Sequence, residues 1–221
     1  MIKIIELNRT VTDSNDRDAE DPRRELKAKD VFLINLMSSP GSGKTTLLER
    51  TIRDLGGRIT VGVMEADIAS AVDAERIGRL GAESIQVHTG GMCHMDAGMT
   101  RAGMAEMNRC RGGIVFLENV GNLICPAEFD TGAHRNVMIL SVPEGDDKPL
   151  KYPLMFRTCD ALVITKTDTL SYFDFDLDAA ARRAAALNPS IRVFPVSSKT
   201  GAGMAAWEDW LTSEREAWTH A

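Results

Sequence analysis

The chain has 221 residues, 43% of them hydrophobic and 26% charged, a composition suited to one well-packed globular domain. Its 32 acidic against 26 basic side chains leave a net charge of −6, which excludes a nucleic-acid-coating role, because that needs a basic face. No run of about 18 apolar residues is present to cross a membrane, and the irregular spacing of Cys93, Cys110, Cys125 and Cys159 suits free thiols or metal ligands rather than disulfides, so a cytoplasmic protein is expected.

In chain order, Met1–Leu7 is apolar enough to add an edge strand, and residues 8–30 are charged and apolar-poor. They read as a solvated arm with a short helix opening at Pro22, which places the domain boundaries at 1–30 and 31–221. The apolar run 31–37 predicts a buried strand ending in a Ser/Pro/Gly loop, and Thr45–Leu55 predicts a helix. Strands are predicted at 59–64, 84–88, 113–118, 136–142, 161–165 and 191–197. Helices are predicted at 71–80, Cys93–Cys110, Asp176–Leu187 and Ala202–Trp218. Such alternation predicts an α/β fold, a mostly parallel central sheet with helices on both faces, which the phosphate loop read next makes a P-loop NTPase.

Ser-Ser-Pro-Gly-Ser-Gly-Lys-Thr occupies 38–45 between the first strong strand and its helix. Only the first glycine of the usual phosphate-loop signature is changed, to Ser38. Pro40 has no N–H, so the phosphate donors fall to Gly41, Ser42, Gly43, Lys44, Thr45 and Thr46, on a helix whose positive end faces the anion. Lys44 is placed to bridge the β- and γ-phosphates and the Thr45 hydroxyl to hold Mg²⁺. Asp67 and Glu118 end predicted strands, where carboxylates meet a nucleotide's metal or water. Glu65 is a weaker third, and Asp73 is either a switch residue or a surface acid. Thr165-Lys166-Thr167-Asp168 stands where GTPases carry Asn-Lys-x-Asp. Asp168 suits the two guanine N–H groups, the Lys166 stem the base face, and Ser198 and Lys199, from the Ser197-Ser198-Lys199 segment, the loop behind the base. The change to Thr165 removes the asparagine that braces this region.

Gly-Gly-Met-Cys-His (90–94) and Leu-Ile-Cys-Pro (123–126) each follow a predicted strand. If they share a sheet edge, Cys93, His94 and Cys125 form an open three-ligand site suited to Ni²⁺ or Zn²⁺. Spacing alone leaves open the alternative of two small buried hydrophobes and a helix-start histidine. Cys110, Cys159, His88 and His134 read as structural, with His134 a distant further ligand. The methionines at 92, 95, 99, 104 and 107 read as adaptable core. Leu170, Tyr172, Phe173 and Phe175 form an apolar stretch that either caps the core or serves a dimer face.

Together SSPGSGKTTLLE, EADIASAVDAERI, TGGMCHMDA, FLENVGNLICPAEFDTGAH, VPEGDDKPLKYPLMF and TKTD resemble the HypB family, the nickel-insertion GTPases of hydrogenase maturation, over nearly all of Val31–Lys199. The resemblance implies a GTPase with GTP/GDP and Mg²⁺ at Lys44, Thr45, Asp67 and Glu118, and Ni²⁺ or Zn²⁺ at Cys93, His94 and Cys125. It also implies a GTP-dependent homodimer, and a HypA-type metallochaperone and the hydrogenase large subunit as partners. The arm contains no Cys and no His, so a metal motif or storage tract of the kind some members carry there is absent. Two rival readings are a metal-storage module with a structural nucleotide site, and a small-molecule kinase. The latter would prefer ATP, against the TKTD position.

Overall fold

The structure, a computed structural model, describes residues 3–6, 19–67 and 76–220, the backbone alone at 3–6 and 67. Its strands are β1 (Lys3–Glu6), β2 (Phe32–Ser38), β3 (Val61–Asp67), β4 (Glu83–His88), β5 (Ile114–Glu118), β6 (Arg135–Ser141), β7 (Ala161–Thr165) and β8 (Arg192–Pro195). They form one sheet in the order β1-β4-β3-β5-β2-β6-β7-β8, and every neighbouring pair is parallel. The helices are α1 (Glu20–Lys29), α2 (Lys44–Leu55), α3 (Ala97–Glu106), α4 (Lys148–Lys151), α5 (Pro153–Thr158), α6 (Leu177–Leu187) and α7 (Met204–Thr219). This is the expected α/β architecture, and β1 supplies the expected edge strand.

Alternation along the buried strands sorts side chains into two layers. Phe32, Ile34 and Leu36 of β2 pack with Leu47, Leu48 and Ile52 of α2 and Trp207 and Leu211 of α7. Leu33 faces the other way, toward Leu26 of α1 and Met99 and Met104 of α3. On β6 and β7, Met138, Leu140, Leu162 and Ile164 meet Phe156 of α5 and Ala180 and Ala184 of α6. The methionines thus fill core, as expected: Met95, Met99, Met104 and Met107 are all at most 2% exposed.

Three expectations are corrected. Residues 19–30 are not a free solvated arm but a helix docked on the domain by one face, because Leu26 of α1 is fully buried and Lys29 Nζ donates to the Met104 carbonyl at 2.7 Å. Arg101 of α3 adds contacts to Glu25 at 2.7 Å and Asp21 at 3.3 Å. Two apolar side chains on the right face, Pro22 and Leu26, dock an otherwise charged helix. The helix expected over Cys93–Cys110 is shorter at both ends. Asp96 caps its start by accepting from the Met99 amide at 2.7 Å. Past its end, the Glu83 carboxylate takes the amides of Asn108, Arg109 and Cys110. The strand expected over 191–197 stops at Pro195, the chain then turning toward α7. Of the helix expected at 71–80, residues 76–78 are helical; Asp73 and residues 7–18 of the arm lie outside the described residues.

Candidate functional site

β2 feeds the phosphate loop from the middle of the sheet, where ligands settle at the carboxyl edge of such folds. Gly41 and Gly43 hold φ at 75° and 94°, the left-handed region where a side chain is strained. Lys44 Nζ donates to Ser38 Oγ at 2.8 Å, and the Ser42 hydroxyl donates to the same oxygen at 2.7 Å. The serine in place of the first signature glycine therefore ties the loop base together. Thr45 Oγ1 donates to Glu118 Oε1 at 3.3 Å, which brings together two of the residues read as Mg²⁺ ligands. A hydroxyl and a strand-end carboxylate form the hard oxygen set that Mg²⁺ takes beside a phosphate. Glu65 is in register with Glu118 on the adjacent strand, and the two are 3% and 8% exposed. Thr46 is exposed on the first turn of α2. Asp67 closes β3 in register with His88, and its side chain lies outside the described residues.

At the other side of the loop, the Thr165 hydroxyl donates to the Ser42 carbonyl at 2.6 Å, and Lys166 Nζ donates to the Gly41 carbonyl at 2.8 Å. Thr165 thus braces the loop in the role expected of asparagine. Lys166 sits at φ 60°, a left-handed turn that aims its stem back along the loop. Asp168 is exposed at the strand end and accepts from the Ser197 hydroxyl at 2.7 Å. Ser197 is the residue of its segment that touches Asp168. The Ser198 carbonyl accepts from Arg50 at 3.3 Å, and Lys199 is exposed.

The loop 89–96 and the turn Cys125–Ala127 meet at the same sheet edge. Gly90 and Gly91 take φ of 65° and 89°, turning the chain after β4 so that Cys93 and His94 precede α3. The ligand atoms of Cys93, His94 and Cys125 lie within 4.8 Å of one another. The Cys93 thiol donates to Cys125 Sγ at 2.9 Å, and His94 Nδ1 stands 3.9 Å from Cys93 Sγ. The His94 ring stacks on Phe129 with centroids 3.7 Å apart, while its Nε2 is buried without a hydrogen-bond partner among the described residues. Burial lowers the His94 pKa and so keeps the ring neutral, the form that ligates. The Cys93 pKa is raised, first by its hydrogen bond with Cys125 and then by burial. Two thiols and a neutral imidazole suit a soft or borderline cation.

The remaining candidates separate cleanly. Cys110 is buried, which pushes its thiol up to about 12, and burial also raises Cys159. Both are packing residues. His134 Nδ1 accepts from the Leu33 amide at 2.9 Å and its ring stacks on Phe32, so it is structural. Asn35 and Asn119 escaped the sequence reading. Asn35, 1% exposed, donates to Asn136 Oδ1 and accepts from Asn119 Nδ2, both at 3.0 Å. A lone carboxamide inside the apolar run VFLINLM was the available signal.

Fold and site together define a P-loop nucleotide-binding domain. The model of the CobW/HypB/UreG nucleotide-binding domain matches residues 5–195. A hydrogenase maturation factor HypB from Azotobacter vinelandii is 45% identical over 213 residues, covering 96% of this chain and 70% of the relative. Among solved structures, HypB from Archaeoglobus fulgidus superposes with a TM-score of 0.86 at 37% identity, over 91% of this chain and 98% of that one. HypB from Helicobacter pylori in complex with nickel gives 0.88 at 33% identity, over 93% and 96%. The chain belongs to the CobW/HypB/UreG family and, within it, to the HypB maturation factors.

Proposed function

We propose that this chain is a GTP-hydrolysing factor that inserts nickel into the hydrogenase large-subunit precursor. The observation that carries the reading is the shared segment 118–125. It begins at the carboxylate bonded to Thr45 and ends at the cysteine bonded to Cys93. Anything that moves Glu118 on nucleotide binding therefore pulls on a metal ligand.

In this reading Gly41 to Thr46 present backbone donors to the phosphates, and Lys44 leaves Ser38 to neutralise the charge that grows on the γ-phosphate. Thr45, Asp67 and Glu118 would hold Mg²⁺, which would supply charge neutralisation to the phosphates. Asp168, steadied by Ser197, accepts from the guanine N–H groups. Thr165 and Lys166 hold the loop backbone at that end, with Ser198 and Lys199 behind the base. Cys93, His94 and Cys125 carry Ni²⁺ or Zn²⁺ as cargo and leave a position open for the acceptor. Exposed Leu150, Leu154, Tyr172 and Phe173 offer the apolar surface that a GTP-dependent homodimer buries; Leu170 and Phe175 instead pack against the core. A HypA-type metallochaperone and the hydrogenase large subunit are the partners, and the work is done in the cytoplasm.

The test is a nickel titration of the nucleotide-free, GDP-bound and non-hydrolysable-GTP forms, with Cys93→Ala as control. Affinities that differ between the nucleotide states, and binding lost in the variant, are expected. Equal affinities in all three states contradict gating by GTP.

A further inference from the structure

Asn119 stands one residue past Glu118 and is 1% exposed. Its polar groups tie it to β2 on one side and to the loop before α3 on the other. Its amide donates to the Leu36 carbonyl of β2 at 3.0 Å, and its Nδ2 donates to Asn35 Oδ1, also on β2, at 3.0 Å. Its Oδ1 accepts from the Val120 amide at 2.9 Å and from the Met95 amide at 3.1 Å. Met95 directly follows His94, and its side chain is fully buried. The next residue, Asp96, caps α3. The ligand pair Cys93-His94 is therefore pinned through Met95 to the end of β5. The segment after β5 is in turn pressed on the phosphate loop. A Cβ added at Gly121 would sit 2.9 Å from Pro40 Cγ and 3.1 Å from Pro40 N.

We infer that Asn119 is the positioning residue that registers the metal-ligand loop against the nucleotide-facing end of β5. The inference rests on the nickel reading of Cys93, His94 and Cys125 proposed above. A carboxamide suits the task because it presents a donor toward β2 and an acceptor toward the metal loop without carrying charge into the core. Alanine would leave the Met95 amide and Asn35 Oδ1 without these buried partners. Displacement of the strand end by a phosphate would then no longer reach His94 through a fixed bond.

The experiment follows the thiolate-to-nickel charge-transfer absorption of the full chain during nickel titration, alongside its affinity for fluorescent GDP. Asn119→Ala is expected to bind nickel about tenfold more weakly with an altered band, the usual scale for losing a group that orients a ligand, while GDP affinity is retained. Asn119→Asp keeps the acceptor for Met95 but loses the donor to Asn35 and carries charge into the core, so it is expected to restore the band only in part. An Asn119→Ala protein with the parental band and nickel affinity overturns the inference, as does parallel loss of nickel and GDP binding. Should Asn119→Ala not fold, hydrogen exchange at the Met95 amide of the unmutated chain decides. A rate that changes with non-hydrolysable GTP and Mg²⁺ supports the coupling, and an unchanged rate overturns it. An unmutated chain that takes up no nickel overturns the parent reading and this one together. Nickel binding that depends on Cys93 but not on Asn119 overturns this one alone.

Discussion

In the proposed function, Thr165 and Asp168 divide the work of base recognition between backbone and side chain. The Thr165 hydroxyl holds the Ser42 carbonyl at 2.6 Å, so it sets the loop rather than the base. Thr165→Ala should therefore weaken GDP and GTP equally, by about 1 kcal/mol or roughly fivefold, measured with a fluorescent nucleotide. Asp168 should behave differently. An asparagine there presents a donor to guanine's donors but matches the carbonyl that xanthine carries instead. Asp168→Asn should cost about two orders of magnitude or more in GTP affinity and gain binding of xanthosine triphosphate in a competition assay. His134 gives a pH prediction of its own. Burial holds its pKa down to about 4, and its neutral Nδ1 accepts from Leu33. The unfolded chain, with an ordinary histidine pKa near 6.5, binds the proton first as pH falls. The native contribution is complete above pH 6.5 and is lost progressively toward pH 4, at up to about 1.4 kcal/mol per pH unit. The stability advantage of the parent over His134→Gln, from urea unfolding at several pH values, should narrow across that window.

Among the elements, α1 is the one whose burial was hidden from sequence. Its ten residues include a single large apolar side chain, Leu26, and composition averaged over such a stretch reads as solvent-exposed. Yet Leu26 enters the layer formed by Leu33, Met99 and Met104. Leu26→Ala should cost about 2–4 kcal/mol, lowering the urea midpoint without changing its slope. A solvated arm would show no effect. The strands were legible for the opposite reason. In a parallel sheet covered on both faces they are short continuous apolar runs, and Ala161–Thr165 was located to the residue. The phosphate loop was equally legible, since its residues must be contiguous. Cys93, His94 and Cys125 could be named from the sequence, but their convergence depends on the sheet order that sets β4, β3 and β5 side by side. Asn119 was not legible, because its role exists only through Met95 and Asn35, which lie 24 and 84 residues away in the chain.

At the scale of the molecule, one parallel sheet presents the nucleotide residues and the metal cluster on a single edge while keeping their ligands chemically distinct. The phosphate side is built of hard oxygens and a lysine, and the cluster of sulfur and imidazole, so in the proposed function Mg²⁺ and Ni²⁺ would sort by softness rather than by position. What joins the sites is mechanical, the segment 118–125 and its contacts to Thr45, Pro40, Met95 and Cys93. The two functions should therefore be separable by mutation on one side and still coupled in the parent. Lys44→Ala removes the cation proposed to meet the γ-phosphate and leaves Cys93, His94 and Cys125 in place. It should abolish measurable GTP hydrolysis, read as phosphate release, while nickel uptake without nucleotide keeps the parent's stoichiometry and charge-transfer band. Nickel affinity in the variant should also become independent of added GTP, because the signal is lost at its source. Loss of nickel uptake in nucleotide-free Lys44→Ala would mean that the sites form one cooperative unit, in which the phosphate loop itself shapes the metal centre.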